Sequence, residues 1–168
     1  MPTVESDNTE TGRWTHRAAW MLLATGLATA TVGALVTTHD AGMAVPDWPD
    51  TFGHFVLFYP LREWTADRDI FLQHGHRLLG FVFVALTAAL AVMLWRTDPR
   101  PAIRRLGWAA LALICVQAFL GGLRVLTDEV LVAKFLASVA PLVVALAAVL
   151  VTCTSPAWHA ARATGMSA

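Results

Sequence analysis

Apolar residues in this chain fall into four long runs, separated by two short polar connections and one long one, and that pattern alone points to a class of fold. The runs cover approximately Ala18 to Thr37, Leu78 to Trp95, Leu106 to Leu123 and Phe135 to Cys153. Each is close to the ~20 residues a helix needs to cross the ~30 Å hydrocarbon layer of a bilayer. They predict an all-α membrane protein, a bundle of four transmembrane helices in one domain spanning residues 1–168, with a flexible leader (1–16) and a flexible tail (155–168). The connection between the first two spans, residues 39–69, is far longer than the ~2–8 residues usual in bundles, and length of this kind suggests function. Gly42, Pro46, Pro49, Gly53 and Pro60 break any long helix there, and Trp48, Phe52, Phe55, Phe58 and Tyr59 are interleaved with them. The segment reads as a lid folded back on the membrane surface.

Composition agrees, with 57% hydrophobic and 14% charged residues and a formal net charge of zero. The placement of the charges is more informative than their sum. Arg96, Arg100, Arg104 and Arg105 crowd the connection between the second and third runs against the single acid Asp98, whereas the long connection is acidic. The positive-inside rule then predicts a multi-pass protein of the cell (inner) membrane with both termini cytoplasmic and the long connection outside. Trp14, Trp20, Trp95, Trp108 and Trp158 fall at helix ends as head-group anchors. Cys115 and Cys153 lie within apolar runs without metal-type spacing and read as small buried hydrophobes. The first run is too long, and its leader too acidic, for a cleaved secretory signal. No nucleophile elbow, phosphate loop or nucleic-acid-binding patch is present.

Polar residues near the membrane need a reason. Antiparallel helices bring Gln73, His76, Arg77, Arg124 and Lys134 to one depth, and such groups in hydrocarbon normally face a partner or a cavity. Snorkelling to the head groups would equally account for Arg77, Arg124 and Lys134. His76 stands at the mouth of the second run, where a neutral imidazole is a natural axial ligand for heme iron. Gly80, Phe83 and Thr87 continue its face at helical spacing, so Gly80 would leave space beneath the ring. On the third helix Gln117, Gly121 and Arg124 form one stripe, against which a flat macrocycle could lie while the guanidinium meets a heme propionate. Close packing between helices would also account for Gly121 and Gly122. His74, about 200° around the helix from His76, is read as a surface or loop-contact residue. The remaining histidines, His16, His39, His54 and His159, show no metal-ligand spacing.

Three stretches, GMAVPDWPDTFG in the long connection, HGHRLLG at the second helix and QAFLGGLRV ending the third, resemble the heme A synthase family of cytochrome oxidase assembly. The resemblance covers roughly residues 32–125. It implies two similar four-helix halves, one holding heme B as cofactor and the other receiving heme O. It also implies oxidation of a heme O methyl group, through a hydroxylated state, to the formyl group of heme A. By position, the resemblance implies that His76 is the counterpart of the heme-ligating histidine of the first half's second helix. Two positions depart from the family pattern: Gln73 stands where a catalytic glutamate is expected, and the fourth helix offers Lys134 but no histidine. The expectation is therefore a heme A synthase-like oxidoreductase half that works as a homo-oligomer or with a second half-length subunit. The alternative is a non-catalytic or truncated heme-binding relative that assists oxidase assembly. Gly26, Ala30 and Ala34 offer a small-residue face for such association.

Overall fold

The computed structural model describes residues 4–158, with side chains from Gly12 onward. Along the chain come α1 (Val4–Thr38), a 3-10 turn (Ala41–Met43), and the short α2 (Leu61–Trp64). They are followed by α3 (Arg68–Thr97), α4 (Pro101–Thr127) and α5 (Val130–Thr154). Four of these helices, α1 from Gly12 onward, α3, α4 and α5, are long and apolar enough to cross a membrane. The chain is an all-α multi-pass membrane protein. α1 packs on α3 and α5, α3 on α4, and α4 on α5, which closes the four spans into a ring.

Local chemistry fixes the helix ends, and two of them differ from the hydropathy pattern. α3 begins at Arg68, ten residues ahead of the apolar run at Leu78, because the Asp67 carboxylate accepts hydrogen bonds from the N–H groups of Asp69 and Ile70. His76 is consequently well inside a helix rather than at its mouth. α1 reaches back to Val4 through the acidic leader, since no proline interrupts the segment. The first three residues of the leader and the tail from residue 159, including His159, lie outside the described residues. Pro101 at the first position opens α4, and Asp128, in the left-handed conformation at φ 54°, ends it.

The hydrophobic core is confined to one end of the ring. Ala19 and Leu22 of α1 meet Phe83, Leu90 and Leu94 of α3, Ile103, Ala110 and Ile114 of α4, and Val143, Ala147 and Leu150 of α5. In an antiparallel bundle these stretches mark the end that carries the termini. Toward the opposite end α5 contributes no buried residue before Val143, and the space between the helices is filled by the long connection instead. Trp14, Trp20, Trp95, Trp108 and Trp158 are exposed near the helix ends. Cys115 is also exposed, on the outward side of α4, and Cys153 is half-buried. Cys153 packs against the core as its apolar surroundings suggested, whereas Cys115 does not, because a lipid-facing surface is as apolar as a core.

Candidate functional site

One turn of α3 holds the long connection in place. Gln73 is buried, and both ends of its amide are used: Oε1 accepts from the N–H of Val45, while Nε2 donates to the carbonyls of Gly42 (2.6 Å) and Val45 (3.4 Å). One turn on, Arg77 donates from Nη1 to the Asp50 carbonyl (2.6 Å) and from Nη2 to the Val45 carbonyl (2.9 Å), with the Asp47 carboxylate 4.0 Å away. His74 is wholly buried; its Nδ1 lies 3.0 Å from the Thr51 hydroxyl, and its ring sits between Tyr59 and Trp64. It is a loop-contact histidine, as its place opposite His76 suggested. Gln73 and Arg77 share its partner segment, so the Arg77 guanidinium, expected to face a partner at the site or to snorkel to the head groups, is committed to backbone carbonyls of residues 45–50.

The tip of the connection is organised by Asp47. Its carboxylate accepts from the N–H groups of Phe52 (3.0 Å) and Gly53 (2.8 Å), and Gly53 has φ 74°, a conformation glycine adopts without strain. Burial alone would raise the Asp47 carboxyl, but these two N–H groups and the Arg77 guanidinium outweigh it and hold the group below the ordinary carboxylate range. Trp48, next along, lies flat on α4. A Cβ added at Gly122 would come within 2.3 to 2.6 Å of three atoms of its indole. Gly122 is therefore the seat of Trp48, the close-packing role anticipated for this pair of glycines, but toward the connection rather than toward another helix.

His76 faces α1. Its ring lies over Gly33, where a Cβ would meet Cε1 at 2.8 Å, and the ring of Phe83 lies over Gly26 in the same way. Two aromatic rings seven residues apart thus sit on two glycines seven residues apart, the register of antiparallel helices. The glycine against the imidazole is Gly33, not Gly80 as helical spacing suggested. Gly26 is accordingly buried under Phe83 and cannot share an outer face with Ala30 and Ala34. The His76 Nδ1 is buried without a hydrogen-bond partner, a cost that a native structure normally offsets with a ligand, water or ion.

On α4 the stripe of polar residues is present but divided. Gln117 donates from Nε2 to the Leu136 carbonyl of α5 (3.0 Å), and its Oε1 is buried and unpartnered. Arg124 pairs with the Asp128 carboxylate and touches the Met43 sulfur at 3.7 Å. Lys134 is exposed on α5. Of the five polar residues expected at one depth, Gln73, Arg77 and Arg124 reach the connection, His76 packs into the α1–α3 seam and Lys134 stands apart. Side chains added at Gly80 or Gly121 would meet nothing within 4 Å. Both glycines border open space, while Gly33 and Gly122 are filled.

Among the described residues no group of three or more His, Cys, Asp or Glu could hold a metal ion. A heme, which brings four nitrogen ligands of its own, needs only axial donors from protein. The residues fit that requirement in part: an unpartnered imidazole nitrogen, two glycines beside open space and an arginine already holding a carboxylate. A second helical histidine is lacking on α5. Sequence reasoning missed Trp48, Thr51 and Gly33. The equal spacing of Gly26 with Gly33 and of His76 with Phe83 was the signal that could have revealed the last.

A sequence model of the COX15-CtaA family, described as cytochrome oxidase assembly protein, matches residues 2–155. The chain is 30% identical over 96 residues to a heme A synthase of Listeria monocytogenes serotype 4a, a match covering 56% of this chain and 29% of that protein. It is 32% identical over 112 residues to the heme A synthase of a Chelativorans species, covering 64% and 31%, and 34% identical over 97 residues to that of Geobacillus kaustophilus, covering 57% and 28%. The matched stretch is thus under a third of each relative's own length. No solved structure matches the chain.

Proposed function

The chain belongs to the cytochrome oxidase assembly protein family, and from that premise we propose that it is a heme A synthase-like half that binds heme B through His76 at the loop-side end of the bundle. The observation that carries this reading is the buried, unpartnered Nδ1 of His76. A nitrogen donor inside a membrane span without a partner is a functional candidate by default. Bound heme B supplies iron for electron transfer. His76 would hold it, Gly80 and Gly121 would leave room for a flat ring, and Gln117 would offer its unpartnered Oε1. Arg124 would exchange the Asp128 carboxylate, which is exposed at 68%, for one on the heme. Arg77 and Gln73 act by holding residues 42–51 over this end and excluding water. Heme O is the proposed substrate and heme A the product. A homo-oligomer or a second half-length subunit would complete the site, the latter by supplying the histidine that α5 lacks. The long connection faces the outer side, and both termini face the cytoplasm.

A second reading is a non-catalytic heme-binding relative that assists oxidase assembly. It is favoured by one observation: the Gln73 amide, at the position of the expected catalytic carboxylate, is fully engaged with the backbone of the connection. An absorption spectrum of the purified chain with added heme tests the common ground. His76 acting alone gives a high-spin spectrum, and a partner's ligand converts it to low spin. Heme retention unchanged in His76→Ala overturns the assignment. In cells lacking their own heme A synthase, expression of the chain and analysis of extracted hemes separates the readings: heme A supports the enzyme, and heme O alone supports the assembly relative.

A further inference from the structure

At the plugged end, on the side of the α1–α3 seam turned away from the plug, lies an apolar groove with a volume of about 380 Å³. It is lined by Val32 and Leu35 of α1, Leu72, Gly75 and Leu79 of α3, and Trp64 of α2. Small-molecule pockets run from ~300 to 1,000 Å³, so this one suits a slender ligand rather than a macrocycle. Its walls are apolar and belong to membrane spans, so an aliphatic chain is the matching chemistry.

The groove has a charged mouth. Leu72, Gly75 and Leu79 follow Arg68 by four, seven and eleven residues, and Leu35 and Val32 precede His39 by four and seven. These spacings place Arg68 and His39 on the same helical faces as the lining, one turn nearer the aqueous end. His39 continues the last turn of α1, its N–H bonding to the Leu35 carbonyl, and Arg68 Nη2 lies 2.6 Å from its Nδ1. The Trp64 indole N–H is taken by the Phe71 carbonyl at 3.1 Å, and its ring stacks on Phe71, which makes it a wall of the groove rather than a free head-group anchor. Asp67 and Asp69 flank Arg68 in sequence and Asp40 follows His39, so three carboxylates neighbour the pair along the chain, that of Asp67 also capping α3 through Oδ1. A head group bearing only negative charge would meet net repulsion there, whereas one bearing both signs finds a partner for each.

We propose that this groove binds one acyl chain of a phosphatidylethanolamine molecule, with its phosphate on Arg68 and its primary ammonium among the neighbouring carboxylates. A quaternary choline cannot donate the hydrogen bonds those carboxylates accept. The test is native mass spectrometry of the full chain equilibrated in mixed bilayers of phosphatidylethanolamine, phosphatidylcholine and phosphatidylglycerol. The expected result is one retained phosphatidylethanolamine per chain. Arg68→Ala should cut retention about tenfold, the scale of one charge-assisted hydrogen bond. Val32→Trp, which fills the groove from α1 and leaves the mouth intact, should abolish it, with helical content by circular dichroism unchanged. Equal retention of the other two lipids by the native chain overturns the head-group assignment. Retention persisting in Val32→Trp, or an isoprenoid chain found there in place of phospholipid, overturns the groove assignment. His76→Ala should leave lipid retention untouched, which separates this inference from the heme reading.

Discussion

The two ends of this bundle solve the same packing problem in different ways. At the end carrying the termini, Leu22, Leu90, Leu94 and Leu150 fill the ring with side chains that are at most 1% exposed. At the opposite end the helices carry Gly33, Gly80, Gly121 and Gly122, and residues 42–51 fold in between them, bonded through their backbone to Gln73 and Arg77 and through the Thr51 hydroxyl to His74. Between lipid-immersed helices there is no hydrophobic driving force, only packing and hydrogen bonding. The first end uses packing and therefore has one tight arrangement. The second uses hydrogen bonds to a segment that is not itself a span, which leaves glycine-bordered space and an unpartnered imidazole nitrogen within the membrane.

Breaking the hydrogen-bonded end should have the largest effect. Arg77→Ala removes two charge-assisted bonds, strands the Asp50 carbonyl and leaves that of Val45 with only its 3.4 Å bond from Gln73, a loss of about 3 kcal/mol at ~1.5–3 kcal/mol for each bond to a charged group. Limited proteolysis should then cut within residues 42–51 faster than in the native chain, where these residues are expected to be protected. Protection equal to the native chain would show that the segment is held by something other than this turn of α3.

The glycines sharpen the contrast at the level of neighbouring residues. Gly122→Ala forces a methyl group into the Trp48 indole and should cost about 2 kcal/mol, within the ~1–3 kcal/mol of overpacking. Gly121→Ala, one position away, meets nothing and should be neutral or slightly stabilising, since alanine is the better helix former by ~1 kcal/mol. Thermal unfolding in detergent compares them directly. Equal destabilisation would mean that Trp48 does not rest on α4 as described. At the packed end, Leu94→Ala leaves a cavity but loses little transfer free energy, because lipid is as apolar as leucine. The cost should be about 1–2 kcal/mol, below the ~2–5 kcal/mol of soluble cores. It should lower the melting temperature without opening residues 42–51 to protease.

How much of this was legible in the sequence follows the same division. The four spans and the all-α class come from apolar runs, and a run is a property of consecutive residues. The packed end is therefore readable. The start of α3 was not, because Gln73, His74 and Arg77 are shielded by the connection and not by lipid, so their polarity looked like the end of a span. Nor could spacing decide which of two adjacent glycines is filled, since Gly121 and Gly122 differ only by rotation about α4, and rotation is set by Trp48 some seventy residues earlier. Hydropathy reads His76 at the mouth of a span, whereas it lies inside α3, and its contact with Gly33 depends on the register of α1 against α3. Contacts of that kind exist only after the helices have met.

The smallest effect concerns the tip of the plug and depends on pH. Asp47 caps the N–H groups of Phe52 and Gly53 in its ionised form, and its folded-state pKa lies below the ordinary value. A depressed carboxyl contributes stability that is fully present above its unfolded pKa, ~3.9, and is lost as pH falls through the lower folded value. The contribution is modest because the side chain is 33% exposed and screened by solvent. Hydrogen exchange at the amides of Phe52 and Gly53, corrected for its intrinsic pH dependence, should therefore show constant protection from neutrality to about pH 4 and a decline below it. Asp47→Asn should weaken protection at neutral pH and remove the decline. The amides of the packed end near Leu90 should show no transition in that range. A decline shared by both ends would mean that acid loosens the whole bundle, and the independence of its two halves would be lost.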